Sequence, residues 1–307
     1  ARPNKIMKTL IIGSSGQLGK EFSHLLEKDG KLSFLMPSSA SLDITRKDSL
    51  REYLKIHQPE IVMNFAAYTN VDNSELEPQK AMNVNNLGVK NVVDELNEAQ
   101  IPLLHISTDY VFGRNGKGPY KILDNHEPMN VYGESKCLGE ENILSFSKKA
   151  IIIRTASLYS LYGKNFFKTF SEILIENKKI EVVNDQQISI TWAYDLAKAL
   201  VEILTLIKNS KEWRKRQAID ILHLVNTDYT SWYNVAMYIA QYMQQYHVNY
   251  ANLEVIPISY KDWKVNTPRS EDSRLEFCGK IDQLGQVSMP YWKDSIEKAL
   301  NLYFKEQ

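Results

Sequence analysis

The sequence predicts an α/β fold, a doubly wound parallel sheet with a smaller C-terminal domain. Three observations carry the prediction. The buried-strand pattern Met7-Lys8-Thr9-Leu10-Ile11-Ile12 runs directly into a glycine turn, Gly13-Ser14-Ser15-Gly16-Gln17-Leu18-Gly19, and then into Lys20 to Lys28, with Phe22, Leu25 and Leu26 at helical spacing. Short apolar runs then alternate with helical patterns at least five times before Ser157. At 307 residues the chain can bury a large core, in one big domain or two closely joined ones, and no internal repeat interrupts it.

Strand, glycine turn and helix together form the phosphate-binding entry of a dinucleotide (Rossmann) fold. Gly13 allows the tight turn, Gly16 lets the backbone approach a pyrophosphate, and Gly19 lets helix and strand pack closely. Ser15, Gln17 and Leu18 complete the turn, where exposed N–H groups and the positive helix end attract phosphate. A ligand-free loop is the alternative, and the flanking strand and helix argue against it. The spacing G-x-x-G-x-x-G points to the short-chain dehydrogenase/reductase variant of the fold.

The second strand is expected at Leu32 to Met36, ending at Pro37-Ser38-Ser39. An NAD-selective protein places a carboxylate there for the ribose hydroxyls. Only serines are present, Ser38 first among them, so a 2′-phosphate meets no repulsion; NADP(H) is expected, with NAD(H) as the alternative. In Leu42-Asp43-Ile44-Thr45, Thr45 is expected to cap a helix from Arg46 to His57. Asp43 and Ile44 are candidates for the adenine edge, and a capping or surface role for Asp43 is nearly as well supported. The strand Ile61 to Ala67 ends in small residues, Ala66 and Ala67, that admit a ligand, and Tyr68 to Asp72 forms the loop at its carboxyl end. A long helix is expected from Pro78 to Ala99, with Asn83 and Asn85 on a face that should be buried.

The strand beginning at Ile101 closes at Ser107-Thr108-Asp109-Tyr110, and a helix from Pro128 to Glu140 carries Tyr132 and Lys136. Four residues apart, these two lie one helical turn apart on one face. A phenol there can protonate a developing alkoxide, a neighbouring ammonium favours the phenolate, and the Thr108 hydroxyl can bond the same oxygen. These are the protein-side requirements of a carbonyl reductase. The motif is weak alone and gains weight from the glycine turn.

Ala150 to Thr155 is another strand. Beyond Ser157 come a helix Asn165 to Glu176, a strand Ile180 to Val183, a helix Tyr194 to Ile207, a last sheet strand Ile219 to Val225 and a helix Ser231 to Gln245. These divide the chain into a dinucleotide-binding domain, residues 1–160 plus about 181–225, and a substrate-binding domain, about 161–180 plus 226–307. In the tail, Arg269 and Arg274 are candidates to face a substrate diphosphate, or equally to form surface ion pairs.

Lys+Arg and Asp+Glu both number 37, so net charge gives a nucleic acid or anionic membrane no support. The basic cluster Lys208 to Arg216 reads as a solvated helix end rather than a binding patch. Two cysteines, Cys137 and Cys278, fit a reducing compartment. No apolar run reaches the roughly 20 residues needed to span a bilayer, and no signal-peptide pattern stands at the N-terminus, so a cytoplasmic location is expected. His24, His57, His105, His126, His223 and His247 lack metal-ligand spacing, so no metal site is expected.

Jointly, Gly13 to Gly19, Leu42 to Thr45, Ala66 to Asp72, Ile106 to Phe112, Val131-Tyr132-Gly133 with Lys136 and Gly139-Glu140, Asp185-Gln186 and Ser273-Arg274-Leu275 resemble the dTDP-4-dehydrorhamnose reductase family, over nearly the whole length. The resemblance implies reduction of the C4 ketone of a nucleotide-linked 4-keto-6-deoxy sugar. Tyr132 would act as acid, Thr108 would polarise the ketone, and Lys136 would hold the nicotinamide ribose. Thr69, Val71, Asp109 and Tyr110 match positions near the sugar. Two departures stand out. Thr155-Ala156-Ser157 replaces a Thr-Ser-Trp whose Trp walls the sugar–nucleotide pocket, leaving Ser157 there, and Ile188-Ser189-Ile190-Thr191 replaces Gly-Ser-Pro-Thr. They point to a related ketosugar or a different nucleotide. The rival readings are a non-catalytic NADP-binding regulatory subunit of the same fold and a sugar-nucleotide epimerase or dehydratase. A homodimer is a further expectation.

Overall fold

The computed structural model describes residues 7–26, 33–114, 116–246, 250–263 and 265–305. Leu32, Lys28 and His247, which enter the expectations above, lie outside the described residues. The central sheet has six parallel strands: β1 (Lys8–Ile12), β2 (Ser33–Leu35), β3 (Ile61–Asn64), β4 (Leu103–Thr108), β5 (Ala150–Thr155) and the strand Ile219–His223. Across the sheet they run from the Ile219–His223 strand through β5, β4, β3 and β1 to β2. The order reverses at β1, and this switch opens the crevice where ligands bind in such sheets, at the carboxyl ends of β1 and β3. The expected doubly wound parallel sheet is present.

Among the described residues, ten helices frame the sheet or the second unit: α1 (Gln17–Leu26), α2 (Lys47–His57), α3 (Val71–Leu76), α4 (Pro78–Met82), α5 (Val89–Ala99), α6 (Val131–Phe146), α7 (Phe166–Asn177), α8 (Ala193–Asn209), α9 (Lys211–Lys215) and α10 (Trp232–Tyr246). An eleventh, α11 (Trp292–Lys305), closes the described chain. One sheet face buries Ile11, Met63, Leu104 and Ile153 against α1 and α8. The other buries Leu10, Val62, Leu103 and Ile152 against α2 and α5. Both faces are covered, which is why the strands read as continuous apolar runs rather than alternating ones.

A separate core gathers Phe167, Ile239, Trp192 and Trp292 from α7, α10 and α11 with the flanking strands. Within it Lys179–Val183 pairs in parallel with Glu254–Ile258 and not with the central sheet. The boundary expected near residue 180 therefore falls inside a strand of this second unit, and the first segment returns to the sheet only with α8. The apolar run Ile180 to Val183 looks the same in sequence whichever sheet it joins.

Two local expectations are corrected. Thr45 does not cap α2: its hydroxyl and N–H both donate to Asp43 Oδ1, at 2.8 and 2.9 Å, and Arg46 occupies the cap position without a side-chain bond. The expected long helix runs from Pro78 to Ala99 but widens into a π-helical stretch over Asn83–Gly88. That stretch brings Asn85 inward, where Oδ1 accepts the Tyr68 N–H at 2.8 Å and Nδ2 donates to the Tyr68 carbonyl and to Ser135 Oγ. Among the described residues no helix is long and apolar enough to cross a membrane.

Candidate active site

The glycine turn sits at the switch point. Gly13 adopts φ +83°, and a Cβ there would lie 2.4 Å from the Ala66 nitrogen at the end of β3. No larger residue fits between the two strand ends. A Cβ on Gly16 would meet only the Gly13 carbonyl, at 3.5 Å, so space lies open beside it. This cradle suits a pyrophosphate over the first turn of α1. Ser15 is exposed, and Gln17 Oε1 accepts a hydrogen bond from Asn165 at 2.9 Å, which ties the turn to the start of α7.

Some predicted cofactor residues are engaged differently from expectation. The side chains of Leu18 and Ile44 are buried in the two cores flanking the sheet, so they shape the crevice from behind. The Asp43 carboxylate is turned onto Thr45 within the turn before α2 and caps no helix. Ser38 is exposed at the end of β2 with its hydroxyl 3.0 Å from that of Ser41. Ala66, Ala67 and Tyr68 line the chain leaving β3, and Tyr68 is held by Asn85 and by Glu77 through its hydroxyl. Thr69 is exposed and Val71 opens α3.

The predicted catalytic residues come together at the carboxyl end of β4 and the first turns of α6. Asn130 caps α6, accepting the Gly133 N–H at 2.8 Å, and its Nδ2 reaches the Pro268 carbonyl of the tail. A Cβ on Gly133 would lie 2.2 Å from the Tyr110 carbonyl, so the absence of a side chain there lets α6 dock against the turn after β4. Tyr132 is buried edge-on to Tyr110, ring centroids 5.3 Å apart. Burial raises its phenol well above the ordinary value, a hydrogen bond with Thr108 opposes the rise, and the charge of Asp109 adds to it.

Thr108 departs from its expected role in one respect. Its hydroxyl donates to Asp109 Oδ1 at 3.0 Å while accepting the Tyr110 N–H at 3.2 Å. A hydroxyl has one proton to give. Polarising a ketone therefore requires that proton to turn away from Asp109, whose carboxyl burial pushes up to about 6. Lys136 is buried on the next turn of α6, and its Nζ donates to the Ile106 carbonyl at 2.7 Å. Burial pushes this amine down to about 8, against the pull of Glu140.

Beside these residues opens a cleft of about 570 Å³, lined by Asp109, Tyr110, Ser157, Gln186, Trp232, Trp263 and Arg269 among others. Ser157 holds φ +43° at its edge. Arg269 pairs with Asp72 at 2.9 Å, lies over the Trp263 ring and leaves its buried Nη1 without a hydrogen-bond partner. Gln186 likewise leaves a buried Oε1 unsatisfied while its Nε2 donates to Ser270. Both residues line the cleft. Arg274 instead forms the ion pair of the second reading, binding both oxygens of Asp272 at 2.8 and 2.7 Å.

Trp232, Trp263 and Asn130 were not among the predicted site residues. Trp232 begins α10 and Trp263 sits in a loop, and neither lies in a spacing that marks it in sequence. Gln186 had a signal, the Asp185-Gln186 pair.

Residues 7–304 match the family model of the RmlD substrate binding domain. The dTDP-4-dehydrorhamnose reductase of Aggregatibacter actinomycetemcomitans is 33% identical over 294 residues, covering 94% of this chain and 97% of that protein. The spore coat polysaccharide biosynthesis protein SpsK of Bacillus subtilis is 32% identical over 293 residues, covering 95% and 96%. The crystal structure of dTDP-4-dehydrorhamnose reductase from Bacillus anthracis in complex with NADP superposes with a TM-score of 0.83 at 29% identity, covering 97% of this chain and all of that one. The chain thus belongs to the RmlD substrate binding domain family.

Proposed function

We propose that this protein is an NADP(H)-dependent oxidoreductase that reduces the C4 ketone of a nucleotide-linked 4-keto-6-deoxy sugar, in the making of a surface polysaccharide. The observation that supports the reading is the hydrogen-bonded pair of Tyr132, in the first turn of α6, and Thr108, at the carboxyl end of β4, in a sheet whose switch point carries the glycine turn. The relatives' names and the NADP in the Bacillus anthracis structure point the same way.

The cofactor supplies a hydride to the carbonyl carbon when bound. Gly13, Ser15, Gly16, Gln17 and Gly19 would hold its pyrophosphate, Ser38 and Asp43 would border the adenosine side, and Ala66, Ala67 and Tyr68 would line its path along β3. Tyr132 gives its proton to the carbonyl oxygen as negative charge develops there. A phenol with a raised affinity for its proton stays protonated until that charge appears. Thr108 shares the same oxygen, and Lys136 holds the nicotinamide ribose. Arg269 and Gln186 meet polar groups of the nucleotide sugar, with Thr69, Val71, Asp109, Tyr110 and Ser157 around the hexose. Trp232 and Trp263 supply aromatic surface in the cleft where Ser157 gives none.

The reading includes the two-unit organisation, a dinucleotide-binding sheet and a substrate unit built on α7, α10 and α11. It also includes a homodimeric state, checked by light scattering, and a cytoplasmic location, where the free Cys137 and Cys278 stay reduced. The deciding experiment incubates the purified protein with NADPH or NADH and a panel of 4-keto sugar nucleotides. Cofactor oxidation with dTDP-4-dehydrorhamnose is expected, NADPH being preferred. Binding of NADPH without any turnover would favour a regulatory subunit, and NAD⁺ retained through purification an epimerase or dehydratase. Tyr132→Phe should bind cofactor normally and lose about 10²-fold or more in turnover, the scale of a missing general acid.

A further inference from the structure

Behind the catalytic side chains runs a buried polar line that ends on Lys136 and includes two residues, Asn64 and His105, that the reaction as described does not use. Asn64 at the end of β3, His105 on β4 and Lys136 on α6 are all shut off from solvent. The Asn64 Oδ1 accepts the Ala66 backbone N–H at 3.1 Å, and its Nδ2 lies 3.2 Å from His105 Nδ1. His105 Nε2 in turn lies 3.4 Å from Lys136 Nζ.

The donors and acceptors decide where the protons sit. A backbone N–H can only donate, so Asn64 turns its oxygen to Ala66 and its NH₂ to the ring. Nδ1 of the neutral imidazole must then accept, which puts the ring proton on Nε2. Burial, with the charge of Lys136 added, holds His105 well below its ordinary value and keeps the ring neutral. The Nε2–H therefore faces Lys136 Nζ. An ammonium has three donors and no acceptor, so it meets this N–H donor to donor. A neutral amine offers a lone pair and completes the line from Asn64 to the Ile106 carbonyl.

We propose that His105, with its tautomer fixed by Asn64, is a positioning residue that holds the Lys136 amine at the Ile106 carbonyl and favours its neutral form. The assignment rests on the reductase reading, in which Lys136 works beside Tyr132. The other groups around it act as follows. Glu140, one turn further along α6, favours the ammonium, and is itself bound by Arg154 of β5 and by His126. The strands β3 and β4 contribute Asn64, His105 and the Ile106 carbonyl, all uncharged. Burial of Lys136 acts in the same direction as His105.

Two measurements test this. Long-range ¹H–¹⁵N spectra of the imidazoles in the whole protein at neutral pH should show His105 with a bare Nδ1 and a protonated Nε2; the reverse tautomer overturns the proposal. The pH profile of kcat/KM is then compared in the His105→Asn variant, whose amide can still accept from Asn64 but presents nothing to Lys136. Its alkaline limb should move up by about one pH unit, a tenfold change in proton affinity. In Asn64→Asp the second carboxylate oxygen demands a proton on Nδ1, so Nε2 becomes an acceptor and the limb should again move up. Limbs that stay in place in both variants overturn the proposal, even where turnover or thermal stability falls, since those losses need only a structural role. If no ketosugar nucleotide is reduced at all, the reductase reading fails while the tautomer measurement still decides the state of His105.

Discussion

Arg154 on β5 and Glu140 on α6 form an ion pair with no access to solvent, which makes a quantitative prediction possible. The guanidinium Nε lies 3.0 and 3.1 Å from the two Glu140 oxygens and its Nη2 2.7 Å from one of them. The remaining N–H groups reach the Ile122 carbonyl, His223 and His126, and the guanidinium packs over the Phe112 ring. Burial alone would raise the Glu140 pKa, but hydrogen bonds and charge from His126 and Arg154 hold it far below the carboxylate range. Arg154→Met keeps the volume and strands the carboxylate. Removing one partner of such a pair costs about 3–5 kcal/mol, a large part of a stability of roughly 5–15 kcal/mol. For a chain of this length that is a loss of about 5–8 °C in Tm.

The sign of the pH dependence follows. In the native protein the lowered carboxylate contributes stability above its unfolded pKa, and that contribution is lost as pH falls. In Arg154→Met the buried carboxyl is raised instead, so the deficit grows as pH rises through the unfolded value near 4.5. His126, 3.0 Å from Glu140, remains beside the carboxylate. Thermal unfolding followed by circular dichroism at pH 5 and pH 8 should show the larger deficit at pH 8. The double variant Arg154→Met/Glu140→Met, which removes both charges, should recover at least half of it. A single variant within about 1 kcal/mol of native, or a double variant no better than the single, would refute this account.

Gly13→Ala should abolish cofactor binding, because the new Cβ falls 2.4 Å from the Ala66 nitrogen at φ +83°; isothermal titration with NADPH checks it, and native affinity would sink the reading of the turn. Asp109, raised to about 6, takes the Thr108 proton as a carboxylate and releases it when protonated, so the chemical step should speed up as pH falls through 6. Asp109→Asn should remove that inflection from single-turnover rates. Arg269→Met should raise KM for the sugar nucleotide by about tenfold or more while leaving NADPH affinity intact, the loss expected for one charge-assisted contact; an unchanged KM would take Arg269 out of the substrate site.

Much of the nucleotide side was legible because its physics is local. A strand, a turn that needs glycine and a helix must follow one another in the chain, so Gly13 to Gly19 announces itself. Tyr132 and Lys136 are also local, one helical turn apart, and Asn130 three residues before Gly133 sets where that helix begins. The substrate cleft was only partly legible. Ser157, Gln186, Trp232, Trp263 and Arg269 are brought together over more than a hundred residues, and nothing in the spacing of the two tryptophans links them to a site.

By itself, then, the sequence determined the parallel sheet, the glycine turn and the pairing of Tyr132 with Lys136 on one helix, since buried runs and short motifs need only their neighbours to act. The tertiary structure alone decided which sheet Lys179–Val183 joins, that the Thr108 hydroxyl donates its hydrogen bond to Asp109, and that Asn64, His105 and Lys136 stand in line. The physical reason is the same in each case. Strand pairing and hydrogen bonding depend on which groups meet across distant segments, and only the packed fold brings those groups together.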